Sequence, residues 1–161
     1  MSIFETFTVE KWIYSTLSSD DTLAGLLADV SGSAKGFQIS VYNSVAPVKD
    51  ARSKKTPVLP YIVFDRAGTS KEYEKVLCGW NVVAFPQYRV TLWYSQSGSV
   101  SSGKVQSAVN RMVSLLDNQS FTLDGLSIYC SREDTEQPIE VQTDGRIDYG
   151  FTAVFSFNII L

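Results

Sequence analysis

Four carboxylates lie close together near the C-terminal end of the sequence, and their spacing raises the question of acid–base chemistry. They are Glu133, Asp134, Glu136 and Glu140. Paired carboxylates act as general acid and base in glycoside hydrolysis, and carboxylate oxygens also bind calcium. The spacing does not match an EF-hand loop, and acidic turns between strands are common on protein surfaces. We therefore predict no catalytic residue and no metal ligand here, and keep a carboxylate-based hydrolase as an alternative.

The chain of 161 residues contains no histidine. Histidine is the side chain that most often acts as a base near neutral pH, and it is the commonest metal ligand. Its absence excludes Ser-His-Asp and Cys-His catalysis and the usual zinc sites. Cys78 and Cys130 match no metal or redox spacing and are expected to be reduced thiols. No glycine-rich phosphate-binding motif is present, so no cofactor is expected.

Charge is distributed unevenly along the chain. The net charge is −3 and the pI is about 4.9, which argues against nonspecific binding to nucleic acid. The basic segment, residues 43–58, carries four cations and one anion, whereas the acidic segment, residues 131–148, carries six carboxylates and two arginines. The four cations are Lys49, Arg52, Lys54 and Lys55.

Three interpretations of the basic segment stay open. It is a solvated loop, a contact for another protein, or a grip for nucleic acid. The nucleic-acid interpretation is weakened because no aromatic residue between positions 43 and 58 is available for stacking on bases. A structureless loop of about sixteen residues is unusual in a compact domain unless it is functional, which favours a protein contact.

Hydrophobic spacing predicts the elements that must position these charges. Helical stripes begin near residues 8, 19 and 104, and strand patterns cover 37–42, 61–66, 85–95, 126–130 and 147–160. This order predicts one α+β domain over residues 1–161, with a mainly antiparallel sheet of four to five strands and helices packed on one face. Long irregular loops are expected at 43–58 and 68–84. No apolar run approaches the roughly 20 residues of a membrane helix, so no membrane partner is expected.

Several short motifs occur in an order that is typical of one known family. They are the helix end Leu17-Ser18-Ser19-Asp20-Asp21, the pair Val41-Tyr42 and the later Pro60-Tyr61-Ile62-Val63, the strand from Tyr88 to Ser95, a helix with Ala108-Val109 and Leu115-Leu116, and a closing strand with Tyr149, Phe151 and Phe155. Together they span about residues 8–160 and resemble the tail-terminator (tail-completion) proteins of long-tailed bacteriophages. The chain departs from that family at 43–58 and 68–81, which are longer than its usual connectors.

The resemblance implies a structural protein without enzymatic activity. Such proteins form a homohexameric ring on the last ring of tail-tube protein, stop growth of the tube and present a joining surface to the head-completion proteins of the neck. DNA passes through the lumen of the ring without specific binding. The expected location is the virion, at the tail or neck, after assembly in the host cytoplasm. Another neck or minor tail protein, such as a head-closure ring, is the nearest alternative.

The charge split suggests a contact within such a ring. A ring requires one patch to meet a different patch on the neighbouring copy. The basic residues Lys49, Arg52, Lys54 and Lys55 and the acidic residues Glu133, Asp134, Glu136 and Glu140 are candidates for these complementary patches. Alternatively, the carboxylates face the lumen and repel passing DNA.

Overall fold

The computed structural model describes residues 3–32, 37–44, 46, 58–76, 79–95, 102–123, 125–136, 138–143 and 146–160. Three helices and seven strands lie within these ranges. The helices are α1 (Ile3–Ser18), α2 (Asp21–Ser31) and α3 (Ser102–Leu116). The strands are β1 (Val41–Asn43), β2 (Tyr61–Val76), β3 (Gly79–Ser95), β4 (Gln119–Leu123), β5 (Leu126–Thr135), β6 (Ile139–Thr143) and β7 (Arg146–Ile160).

The seven strands form one mixed sheet in the order β1-β2-β3-β7-β5-β4, with β6 also paired to β7. Strand β1 runs parallel to β2, and every other pairing is antiparallel. Strand β3 pairs with β7 along one edge of β7. The other edge is shared, because β5 pairs with the C-terminal part of β7 and β6 pairs with its N-terminal part.

The core lies between the helices and one face of this sheet. Alternate residues of β7 and β3 point into it, because successive side chains of a strand face opposite sides. Helix α3 contributes a stripe at helical spacing, as its sequence pattern predicts. The fully buried residues of this core include Ile13, Leu17, Leu23, Leu27, Ile62, Tyr88, Leu92, Met112, Leu116, Phe155, Phe157 and Ile159.

Aromatic contacts join α1 to the sheet. The Trp12 ring stacks on Phe121 at 4.1 Å between centroids and meets Phe157 edge-on at 5.9 Å. Phe157 in turn lies perpendicular to the ring of Tyr88 at 5.7 Å. The Tyr88 hydroxyl lies 3.4 Å from a carboxylate oxygen of Glu10, and burial together with that carboxylate raises the pKa of Tyr88. These contacts fix the face of α1 that packs against the sheet.

The expected α+β class and the mainly antiparallel sheet with a helical layer are confirmed. The predicted number of four to five strands was wrong, since the described residues form seven. Strands β4 and β6 have five residues each, and their patterns are too short to stand out from loops. Strand β1 makes the sheet mixed rather than antiparallel throughout.

The prediction of an irregular loop at 68–84 was also wrong. The backbone there continues the β2–β3 hairpin in unbroken register from Thr69–Pro86 to Val76–Gly79. Strand β7 ends at Ile160, which pairs with Val83 of β3. The last pairs of the β2–β3 hairpin therefore lie beyond the end of β7. A two-stranded ribbon that leaves the sheet has no core face, so a polar composition does not prevent strand pairing there.

Asp20 ties α2 to α3. It is the N-cap of α2, and its Oδ1 accepts a hydrogen bond from the Leu23 amide at 2.6 Å. The Arg111 guanidinium donates to the same carboxylate, from Nε to Oδ1 at 3.1 Å and from Nη2 to Oδ2 at 2.6 Å. The hydrogen bonds from Arg111 hold the pKa of Asp20 below its usual value. One carboxylate thus caps a helix and also joins it to a second helix.

Replacing Asp20 with alanine removes the cap and the partner of Arg111 together. We expect the free energy of unfolding at neutral pH to fall by about 1–2 kcal/mol, the usual effect of a lost N-cap. Asp21→Ala changes an exposed neighbour in the first turn and serves as the matched control, with a loss of about 0.5 kcal/mol or less. Denaturant unfolding followed by circular dichroism measures both. Equal losses in the two variants would contradict the role of Asp20.

Asp20→Asn separates the charge from the cap, because asparagine caps a helix about as well as aspartate. Since the folded state lowers the pKa of Asp20, its charge stabilises the fold above the ordinary carboxyl pKa, and this contribution is lost as the pH falls through the folded value. We expect the stability advantage of the wild type over Asp20→Asn to be complete at neutral pH and absent in strong acid. Unfolding curves from pH 2 to pH 7 test this, and a constant difference would contradict it.

Candidate protein-interaction groove

The face of the sheet opposite the helices, here called the outer face, carries three rows of side chains. The strand registers define each row, because residues paired across neighbouring strands point to the same face. The charged row is Asp65, Arg89, Val154 and Asp134. The hydroxyl row is Val63, Thr91 and Thr152, and the apolar row is Tyr61, Trp93, Gly150 and Ile139.

An ion pair occupies the middle of the charged row. The Arg89 guanidinium donates to Oδ2 of Asp65 from Nη2 at 2.5 Å and from Nε at 3.2 Å. Both side chains keep contact with solvent, with 44% of Arg89 and 26% of Asp65 exposed. Hydrogen bonding to Asp65 raises the pKa of Arg89, and the carboxylate of Glu136 adds to this effect. Arg89 is therefore a fixed positive charge among three carboxylates.

The hydroxyl row is the buried middle of the outer face. Thr91 Oγ1 and Thr152 Oγ1 lie 2.9 Å apart and share one hydrogen bond. Both residues are buried, although neither lies in the core beneath the helices. The amide of Glu136 donates to the Thr152 carbonyl at 3.0 Å, so the chain leaving β5 is held against this row.

The apolar row depends on a glycine. A Cβ atom at Gly150 would lie 3.1 Å from two ring atoms of Trp93 and 3.2 Å from Cγ2 of Thr91. The indole ring of Trp93 thus lies directly against the backbone of β7 at Gly150. A larger residue at position 150 would have to displace the ring. Tyr61 closes the other end of the row and meets Tyr42 edge-on at 5.7 Å.

These rows form the floor of an open groove of about 390 Å³. Ser44 and Ala46, which follow β1, line one side, and Glu136 and Ile139, at the junction of β5 and β6, line the other. The groove changes in character along the strands, from paired and unpaired charges to exposed aromatic and aliphatic surface. Such a site fits a polypeptide segment that is charged at one end and apolar at the other.

Within the described residues, no three histidine, cysteine, aspartate or glutamate side chains come together as a metal site would require. The Cys130 thiol is buried in the core, and burial raises its pKa. Cys78 lies outside the described residues. None of the helices in the described ranges combines the length and hydropathy of a membrane span.

The structure divides the four acidic candidates between different surfaces. Asp134 pairs with Val154 on the outer face, and Glu136 lines the groove. Glu133 is exposed at the β-bulge where the register of β5 shifts. Glu140 follows Ile139 in β6 and points to the opposite side of that strand. Two of the four carboxylates are therefore brought together.

The four basic candidates, Lys49, Arg52, Lys54 and Lys55, lie outside the described residues. The described chain stops at Ala46, on one side of the groove, and resumes at Val58. Val58 is 77% exposed, the largest exposure among the large hydrophobic residues of the described chain.

The floor of the groove could not be predicted from the sequence. Alternation in the strand predicted at 85–95 places Tyr88, Val90, Leu92 and Tyr94 on one face, and therefore Arg89, Thr91 and Trp93 on the other. The sequence does not show which residue of a neighbouring strand each of these side chains lies beside. The pairs Asp65–Arg89 and Thr91–Thr152 join residues 24 and 61 positions apart, and only the strand register reveals them.

Comparison with known proteins gives a likeness in fold. No protein-family model and no curated protein matches the sequence. Among solved structures, the chain is similar to a chain of the "Virion of native gene transfer agent (GTA) particle", with a TM-score of 0.64 and 13% sequence identity. The likeness covers 99% of this chain and 100% of the other. At this level of identity it shows a shared fold that runs through the whole chain.

The threonine pair offers a test of the hydroxyl row. Thr91→Val leaves the Thr152 hydroxyl buried without its partner, and we expect the free energy of unfolding to fall by about 1–3 kcal/mol. Thr152→Val should cost a similar amount. The double variant removes both polar groups and should cost less than the sum of the two single changes. Additive losses in denaturant unfolding would show that the hydroxyls do not interact.

Gly150→Ala tests the support of Trp93. The new methyl group forces the indole ring to move by a few tenths of an ångström, so the near-ultraviolet circular dichroism of the aromatic side chains should change. Stability should fall by about 1–3 kcal/mol, as in other overpacked sites. Gly25→Ala, on α2 with no atom within 4 Å of the added carbon, is the matched control and should stabilise the helix by up to about 1 kcal/mol. An unchanged aromatic spectrum in Gly150→Ala would contradict this packing.

Proposed function

We propose that this chain is a tail-terminator protein of a long-tailed bacteriophage or a related particle. In this role it forms a homohexameric ring on the end of the tail tube, stops its growth and joins it to the neck. The observation that carries the proposal is the likeness in fold, over the full chain, to a protein of a gene transfer agent virion. The proposed location is accordingly the tail or neck of the virion.

The order of the family motifs supports this choice among virion proteins. Each motif falls on an element that builds the core: the junction of α1 and α2, the paired strands β1 and β2, strand β3, helix α3 and strand β7. The resemblance in sequence and the likeness in fold therefore depend on the same framework.

The two hairpins at opposite ends of β7 suit a protein that assembles at two ends. Ile139, Val141 and Ile147 are 42%, 41% and 36% exposed, and all three lie in the β6–β7 hairpin. The β2–β3 hairpin extends past the opposite end of β7. A terminator has to contact the tail-tube protein on one side and a head-completion protein on the other. We assign no side to either hairpin.

We propose that the protein acts without catalysis and without a cofactor. The lack of histidine and the absence of a nucleophile–base pair in the groove support this. We also propose that DNA passes through the lumen without specific binding, since the acidic net charge disfavours phosphate contacts. Assembly would take place in the host cytoplasm.

The proposal is tested by assembly and by capping. We expect purified protein to form rings in negative-stain micrographs, with a mass in solution six times that of one chain. Added to polymerising tail-tube protein from the same phage, it should stop elongation and produce short tubes with a ring at one end. The same protein heated beyond its unfolding transition is the control.

Other outcomes favour other functions. A ring that binds isolated heads or connectors but does not stop tube growth would favour a head-closure protein. A chain that stays monomeric at high concentration and cleaves a panel of glycosides would contradict the proposal and favour a carboxylate-based hydrolase.

A further inference from the structure

We infer that the groove on the outer face receives the basic segment of a neighbouring copy of this chain. The inference rests on the proposed ring and names the contact that closes it. In a ring, each copy must present one patch to the copy before it and a different patch to the copy after it. The groove is the acceptor in this contact, and residues 47–57 with Val58 are the donor.

Charge complementarity is the first argument. The groove side of the charged row and its rim hold Asp65, Asp134 and Glu136 against the single cation Arg89. Arg89 is already bound to Asp65. Asp134 and Glu136 take part in no ion pair with the described part of the chain. The basic segment carries four cations and one anion, so it supplies the charges that these two carboxylates lack.

The spacing of charged and apolar positions is the second argument. Along β7, Val154, which pairs with Asp134, and Gly150, which pairs with Ile139, are four residues apart. In the donor, Lys54 and Val58 are also four residues apart. Four extended residues span about 13–14 Å in either chain. An extended donor that places Lys54 beside Asp134 therefore brings Val58 to Ile139, at the end of the apolar row.

The length of the donor is the third argument. Asn43 lies beside Phe64, and the chain has to return only to Tyr61, three residues earlier on the neighbouring strand. Because the two strands are parallel, the chain has to reverse its direction twice, and such a crossover takes about a dozen residues. The chain uses seventeen residues, 44–60, for the connection. The connection is therefore about five residues longer than such a crossover requires. Residues 47–57 are eleven in number and, when extended, have the reach to contact a neighbouring molecule.

Charge reversal in mixed rings tests the contact. Lys54→Glu/Lys55→Glu reverses the donor, and Asp134→Lys/Glu136→Lys reverses the groove. Each variant alone opposes like charges at every contact, so we expect the concentration for half-assembly to rise about tenfold or more. In an equimolar mixture, a ring that alternates the two variants has complementary charges at all its contacts. We expect the mixture to recover rings, with native mass spectrometry showing equal numbers of the two variants.

Matched controls separate this effect from net charge and from misfolding. Asp21→Lys/Asp29→Lys makes the same charge change as the groove variant on exposed positions of α2, and it should assemble like the wild type. Circular dichroism and thermal unfolding report whether each variant is folded. If a reversed variant is unfolded, neutral variants replace the reversed ones. The donor variant is then Lys54→Gln/Lys55→Gln, and the groove variant is Asp134→Asn/Glu136→Gln. Neutralising both sets in one chain should raise the concentration for half-assembly by less than the product of the two separate fold-changes.

The outcomes that overturn the inference differ from those that overturn the ring. If the wild type forms rings and the reversed or neutralised variants assemble equally well, the groove is not the acceptor, although the ring stands. If the mixture fails while one chain carrying all four reversals assembles, the contact lies within a single chain and the inference is wrong. A wild-type chain that never forms rings contradicts the proposed function itself.

Discussion

Strand β7 is the constraint on which the structure depends, because both of its edges and both of its faces are used. It pairs with β3 along one edge and with β5 and then β6 along the other. One face places Phe155, Phe157 and Ile159 in the core, and the other presents Thr152 to the groove and Gly150 to the ring of Trp93. A slip of one residue in its register would exchange these two sets, so core and groove are specified together.

This arrangement makes the groove a property of the sheet rather than of its loops. Its floor consists of side chains from β2, β3 and β7, which are adjacent strands of the sheet. A buried hydroxyl pair, Thr91–Thr152, fixes the middle of the floor, and Gly150 leaves room for Trp93. Positions on regular strands are set more closely than positions on loops, which suits a surface that must match another protein.

The elements that could be predicted are those that bury a face. The long alternation of β7 and the helical stripe of α3, from Val105 to Leu116, are visible in sequence because the core demands apolar residues at a fixed period. The strand pairing at 68–84 could not be recognised, since most of this ribbon extends beyond the end of β7, and a two-stranded ribbon does not require a periodic apolar pattern. The groove was missed for a different reason: Asp65 and Arg89 look like ordinary surface residues until the register of β2 and β3 brings them together.

The placement of the acidic residues also sharpens how the proposed ring would handle DNA. Two hypotheses followed from the sequence: the carboxylates bind a neighbouring copy, or they line the lumen and repel DNA. A single carboxylate cannot do both, because an ion pair with a neighbour cancels its field toward DNA. Asp134 and Glu136 lie on the groove face, while Glu140 points away from it. If the groove binds a neighbour, any repulsion of DNA must come from carboxylates outside the groove, such as Glu140. Binding a neighbouring copy and repelling DNA are then divided between opposite sides of one edge of the sheet.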